Sequence, residues 1–125
     1  MDNSTPTWYT VLGEAKIQQL VDAFYERVYA HAVLQPIFVN SPIASVKDKQ
    51  FRFLCQFLGG PTYYNEKYGH PRMRMRHLPH PIDQKAKDAW LSCMHSAILT
   101  LGLTEAKAEA LYQCFPRVAE HMVNR

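Results

Sequence analysis

With 125 residues, 47% of them hydrophobic and 20% charged, the chain has the composition of a compact domain that buries a core without disulfides or a structural metal. A net charge of +3 is too mild to argue for a nucleic-acid partner. No apolar run approaches the ~20 residues of a membrane span. Residues 1–10 lack the basic and apolar regions of a signal peptide. Cys55, Cys93 and Cys114 form no CxxC pair and cannot all pair with one another, so they read as buried thiols in a reducing compartment. The expectation is a single cytoplasmic domain over residues 1–125, with 8–125 as its folded core and no membrane or nucleic-acid partner.

In chain order, residues 14–34 carry Ile17, Leu20, Val21, Phe24, Tyr25 and Val28 at the spacing of a half-buried helix, with Gly13 before it and Pro36 just beyond. Ser41-Pro42 reads as an N-cap and a first-turn proline. The inner stripe of that second helix is Ile43, Val46, Gln50, Phe53, Leu54 and Phe57, and Gly59-Gly60-Pro61 stops it. Residues 61–81 hold Pro61, Pro71, Pro79 and Pro81 and exclude a long regular element. Asp83 is a plausible N-cap for a third helix with Ala86, Trp90, Met94, Ala97, Ile98 and Leu101 inward, ended by Gly102. Thr104 caps a last helix with Ala108, Leu111, Tyr112, Phe115, Ala119 and Met122 inward. Pro116, in mid-pattern, predicts a kink. The reading is four helices and no long strand.

The middle segment holds Lys67, Arg72, Arg74 and Arg76 together with His70, His77 and His80. A long irregular loop in a compact domain points to function. Polar groups also sit on apolar faces: Tyr25 on the first helix, Gln50 on the second, Trp90 on the third. A buried donor of this kind needs a partner or costs about 1–3 kcal/mol. Each aromatic alone is read most simply as a core ring whose polar tip reaches a carbonyl or water. Three donors on three facing helices suit a cavity for a small polar ligand.

His77 follows Arg72-Met73-Arg74-Met75-Arg76, and a lone histidine is usually a surface residue. Here Lys49, Arg74 and Arg76 supply cations, and Phe38, Phe53, Phe57, Trp90 and Met94 supply an apolar lining. A flat apolar cofactor with one metal and two carboxylates satisfies all of them. Two rivals use the same residues. His70, His77 and His80 with Cys93 or His95 form a zinc set of weak spacing, and the arginine run offers a phosphate contact or a solvated loop. No P-loop, GxGxxG, GxSxG or HExxH is present.

The order Phe24-Tyr25, Pro36-Ile37-Phe38, Gln56-Phe57-Leu58-Gly59-Gly60-Pro61, Tyr64, Gly69-His70-Pro71, Arg74-Met75-Arg76-His77, Asp88-Ala89-Trp90-Leu91 and His121-Met122-Val123-Asn124 resembles a bacterial truncated haemoglobin of the second group. The resemblance spans about Trp8 to Arg125. It implies an all-α, two-over-two helical sandwich around haem b, with His77 as the iron ligand. It further implies that Tyr25, Gln50 and Trp90 face the bound ligand, and that Val46 stands where ordinary globins hold a distal histidine. By the same resemblance Phe38 packs on the porphyrin, and Lys49, Tyr64 and Arg76 approach the propionates.

Dioxygen on ferrous haem gains negative charge on its outer atom, which the three donors stabilise. At about 0.5–1.5 kcal/mol each, they slow its escape by orders of magnitude. The implied ligands are O2, CO, NO or peroxide. The implied task is redox or detoxification chemistry, as a nitric oxide dioxygenase or peroxidase-like enzyme served by a reductase. The alternative is a non-catalytic oxygen sensor, store or delivery module. His80 stands where similar sequences carry Phe, and the pairing of Cys55 with Cys114 is left open.

Overall fold

The computed structural model describes residues 6–38, 40–70 and 82–124. The described residues form α1 (Trp8–Ala30), α2 (Gln35–Phe38), α3 (Ile43–Phe57), α4 (Tyr63–Tyr68), α5 (Gln84–Leu99), α6 (Glu105–Tyr112) and α7 (Pro116–Met122), and no strand among them. Arg72, Arg74, Arg76, His77 and His80, singled out above, lie outside the described residues.

α1 begins earlier than the periodicity predicts. The Thr7 hydroxyl accepts from the Thr10 N–H and caps a first turn, and Gly13 then breaks the helix at φ 80 before it resumes. The main stretch ends at Ala30, not at residue 34, because His31 leaves the helical conformation. Pro36 then sits inside α2, where a first-turn proline has no N–H to lose.

Ile17, Leu20, Val21, Phe24 and Val28 of α1 are fully buried, as are Met94, Ala97 and Ile98 of α5. Each such side chain contributes roughly 1.5–3 kcal/mol by leaving water. α1 packs on α3 and on α5, α3 on α4, and α5 on α6 and α7. Two side chains of α1 close the far end of α5. Lys16 Nζ donates to the Leu101 carbonyl at 3.1 Å, and Gln19 Nε2 to that of Thr100 at 3.2 Å, which satisfies carbonyls the helix leaves open.

Asp83 and Thr104 cap α5 and α6 as expected, accepting from Ala86 and Lys107 N–H groups. Three expectations are corrected. Pro42, not Ser41, holds the N-cap position of α3, with no side-chain cap bond, and Ile43 is exposed. Residues 61–70 contain α4, one and a half turns long and too short to register in the pattern. Pro116 does not kink a continuous helix. The chain tightens at Cys114 and Phe115, whose N–H groups bond back to Leu111 and Tyr112, and Pro116 starts α7 at its first position. Cys55, Cys93 and Cys114 are free thiols. Burial raises the Cys55 thiol to about 11, so it stays protonated at neutral pH.

Candidate functional site

Val46, Lys49, Gln50, Phe53, Leu54 and Phe57 lie at i, i+3, i+4, i+7, i+8 and i+11 on one face of α3. Yet Val46, Phe53 and Phe57 are only half-buried. The stripe is partly uncovered because it fronts a cavity of about 410 Å³. Tyr25 of α1 and Leu34, Ile37, Phe38 and Ser41 around α2 wall one end. Tyr64 of α4 adds to the α3 side. Ile82, Ala86, Lys87 and Trp90 come from the start of α5, and Phe115, Val118, Ala119 and Met122 from α7. The size is that of an organic-ligand site.

A ladder of rings holds the wall. Phe24, fully buried, meets Tyr25 edge-on at 4.8 Å and Trp90 at 5.2 Å, and so sets both polar aromatics from one side. Phe38 meets Tyr25 at 6.0 Å and Tyr29 at 5.8 Å, while the Tyr29 hydroxyl donates to the Ser41 carbonyl at 3.3 Å. Phe53 and Phe57 stack at 5.6 Å, with Tyr64 edge-on to Phe53 at 6.2 Å.

The Tyr25 hydroxyl is buried at the cavity, where burial pushes its pKa up and keeps it a neutral phenol able to donate. Among the described residues it has no hydrogen-bond partner, and neither do the Gln50 amide or the Trp90 indole N–H. Tyr25 is buried whereas Gln50 and Trp90 are half-buried, so the cost of about 1–3 kcal/mol for a buried unpaired donor falls on the Tyr25 hydroxyl and is removed once a ligand accepts from it. Among the described residues, Lys49 and Lys87 line the cavity and no carboxylate does. The Lys49 ammonium lies 5.5 Å over the Tyr68 ring, and Lys87 pairs with Glu120 at 3.4 Å.

Beside the cavity, Asp48 accepts from the Tyr68 hydroxyl at 2.6 Å, Lys67 at 3.0 Å and Arg52 at 3.1 Å. The Tyr68 bond, with help from Lys67 and Arg52, lowers its carboxyl to about 2.

Of the predicted site residues, Tyr25, Phe38, Val46, Lys49, Gln50, Phe53, Phe57, Tyr64 and Trp90 all line this one cavity. Met94 does not: it is fully buried in the core one turn beyond Trp90. Arg76 and His77 lie outside the described residues. Lys87, Ile82 and Val118 were missed. Lys87 stands between two predicted inward residues, Ala86 and Trp90, and its position three before Trp90 was the available signal. No group of three His, Cys, Asp or Glu side chains is placed to hold a metal among the described residues. No helix there is long and apolar enough to cross a membrane.

An apolar slot with cations and, among the described residues, unpaired donors and no carboxylate suits a flat cofactor with acidic arms. Residues 7–124 match the bacterial-like globin family. The group 2 truncated hemoglobin of Bacillus subtilis is 48% identical over 117 residues, 94% of this chain and 88% of that protein. The crystal structure of the group II truncated hemoglobin from Bacillus anthracis superposes with a TM-score of 0.90 at 41% identity, over 98% of this chain and 94% of that one. The truncated oxygen-avid haemoglobin from Bacillus subtilis does so with 0.88 at 47%, over 95% and 100%.

The chain therefore belongs to the bacterial-like globins, as a group II truncated haemoglobin. Its fold is the two-over-two globin sandwich, and its cofactor is haem. It is a haem protein for small gaseous ligands such as O2.

Proposed function

We propose that the chain performs redox chemistry on a small ligand it holds tightly, as a nitric oxide dioxygenase or a peroxidase-like catalyst, rather than carrying oxygen. Haem in the cavity supplies an iron with a coordination position for a diatomic ligand. The observation that carries the reading is the unpartnered trio at the cavity wall, the Tyr25 hydroxyl, the Gln50 amide and the Trp90 N–H. The similarity to an oxygen-avid haemoglobin from Bacillus subtilis supports the same direction.

The residues divide the work. Tyr25, Gln50 and Trp90 donate to the outer atom of the ligand, and preorganised donors of this kind favour a state in which negative charge develops there. Val46 offers no donor, so the stabilising bonds come from the other three. Phe38, Phe53 and Phe57 would pack on the cofactor and keep water from it. Lys49 and Tyr64 would hold its acidic arms, and by the family resemblance Arg76 would join them and His77 would be the iron ligand. The cell supplies electrons through a cytoplasmic reductase, and NO and peroxide are the co-substrates.

Stopped-flow measurement of oxygen dissociation, paired with NO consumption under a reductase, tests the reading. Slow release with sustained turnover supports it. Fast release without turnover contradicts it and leaves the sensing, storage or delivery role.

A further inference from the structure

One wall of the cavity is built by a segment that carries none of the three donors. α7 is separated from α6 by the break at Pro116, so the α6 backbone ladder does not hold it in place. Its Val118, Ala119 and Met122 nonetheless line the cavity. Apolar contacts of that kind are non-directional and leave the segment free to slide. Among the described residues, two polar ties join it to the start of α5.

The first is a reciprocal pair on a single residue. The Ile82 N–H donates to Asn124 Oδ1 at 3.1 Å, and the Asn124 N–H donates to the Ile82 carbonyl at 2.8 Å. Both backbone polar groups of Ile82 are thus held by one asparagine, and Ile82 itself lines the cavity. The second tie is Lys87 to Glu120 at 3.4 Å, with Glu120 largely exposed. An ion pair so open to solvent contributes little and is screened by salt. The asparagine is the directional tie.

We infer that Asn124 is a positioning residue of the haem site, a latch that holds Ile82 and the Pro116–Asn124 segment together across the cavity and so sets how fast haem leaves. The inference rests on this cavity being where haem sits. Haem departs through a local opening of its walls, and this bond pair joins two of them. Loss of the Asn124 side chain frees the Ile82 N–H and leaves the backbone bond to the Ile82 carbonyl as the remaining half of the pair. Tyr25 and Gln50 belong to α1 and α3, whereas Trp90 stands on α5 and its ring packs on Phe115 at 6.0 Å.

The test follows haem transfer from the ferric holoprotein to excess apomyoglobin by visible absorption. Asn124→Ala speeds transfer by about twofold to tenfold, the worth of one hydrogen bond. Asn124→Asp keeps the Oδ1 acceptor and remains near the wild-type rate. Unaltered haem transfer in Asn124→Ala overturns the proposal, including where the melting temperature falls, since the tie is then a fold element alone. Equal acceleration in Asn124→Asp also overturns it. A wild-type protein that takes up no haem, seen directly as a missing Soret band, defeats instead the haem assignment beneath it.

Discussion

A Cβ on Gly60 would stand 2.5 Å from ring carbons of Tyr9. The first turn of α1 therefore lies against bare backbone just past α3, where the Tyr9 N–H donates to the Leu58 carbonyl at 2.9 Å. Glu14 completes the junction, accepting from the Tyr9 hydroxyl and, at 2.7 Å, from that of Tyr63. Gly60→Ala forces this ring aside at an expected cost of about 1–3 kcal/mol. Thermal unfolding checks it, and a Tyr9→Ala background should shrink the penalty in a double-mutant cycle. An unchanged melting temperature contradicts the account of Gly60.

Asp48 makes stability depend on acid. Its folded pKa, about 2, lies below the ordinary 3.8, because the Tyr68 hydroxyl, Lys67 and Arg52 favour the carboxylate. A depressed carboxyl contributes stability above its unfolded value and loses it as pH falls towards the folded one. The contribution is therefore present at neutral pH and drains away between pH 3.8 and 2. Asp48→Asn should lower the melting temperature at neutral pH and flatten its fall over that window. Parallel acid limbs in the two proteins would exclude the cluster as a source.

Trp90→Phe keeps most of the ring against Phe24 and removes the N–H. One neutral hydrogen bond is worth about 0.5–1.5 kcal/mol, so oxygen dissociation should quicken by roughly twofold to tenfold. Melting temperature should move little. A rate equal to wild type would make the indole a packing group only.

His77→Gly tests the iron ligand. The variant should lose haem readily and regain a wild-type-like spectrum when imidazole is supplied. A normal spectrum without imidazole would refute the assignment.

The helices were legible because their apolar residues recur at 3.6-residue spacing, and Asp83 and Thr104 announced their caps. The stripe on α3 was legible as a face, but its meaning was not. Periodicity registers Val46, Phe53 and Phe57 as turned inward without saying whether protein or a cofactor covers them. Pro116 was misread because the apolar spacing of Leu111, Phe115, Ala119 and Met122 keeps its register across the break. Lys87 was missed because a lysine in a first helical turn looks like surface. His77 owes its place to the resemblance, since one histidine in a basic loop carries no spacing to interpret.

The most direct test of the central claim compares oxygen dissociation in the wild type with that in Tyr25→Phe/Gln50→Leu/Trp90→Phe. If the three donors hold the ligand, removing them together accelerates release by at least about tenfold, the sum of two to three hydrogen bonds. If release from the triple variant matches the wild type, the cavity holds its ligand by other means and the redox reading loses its foundation.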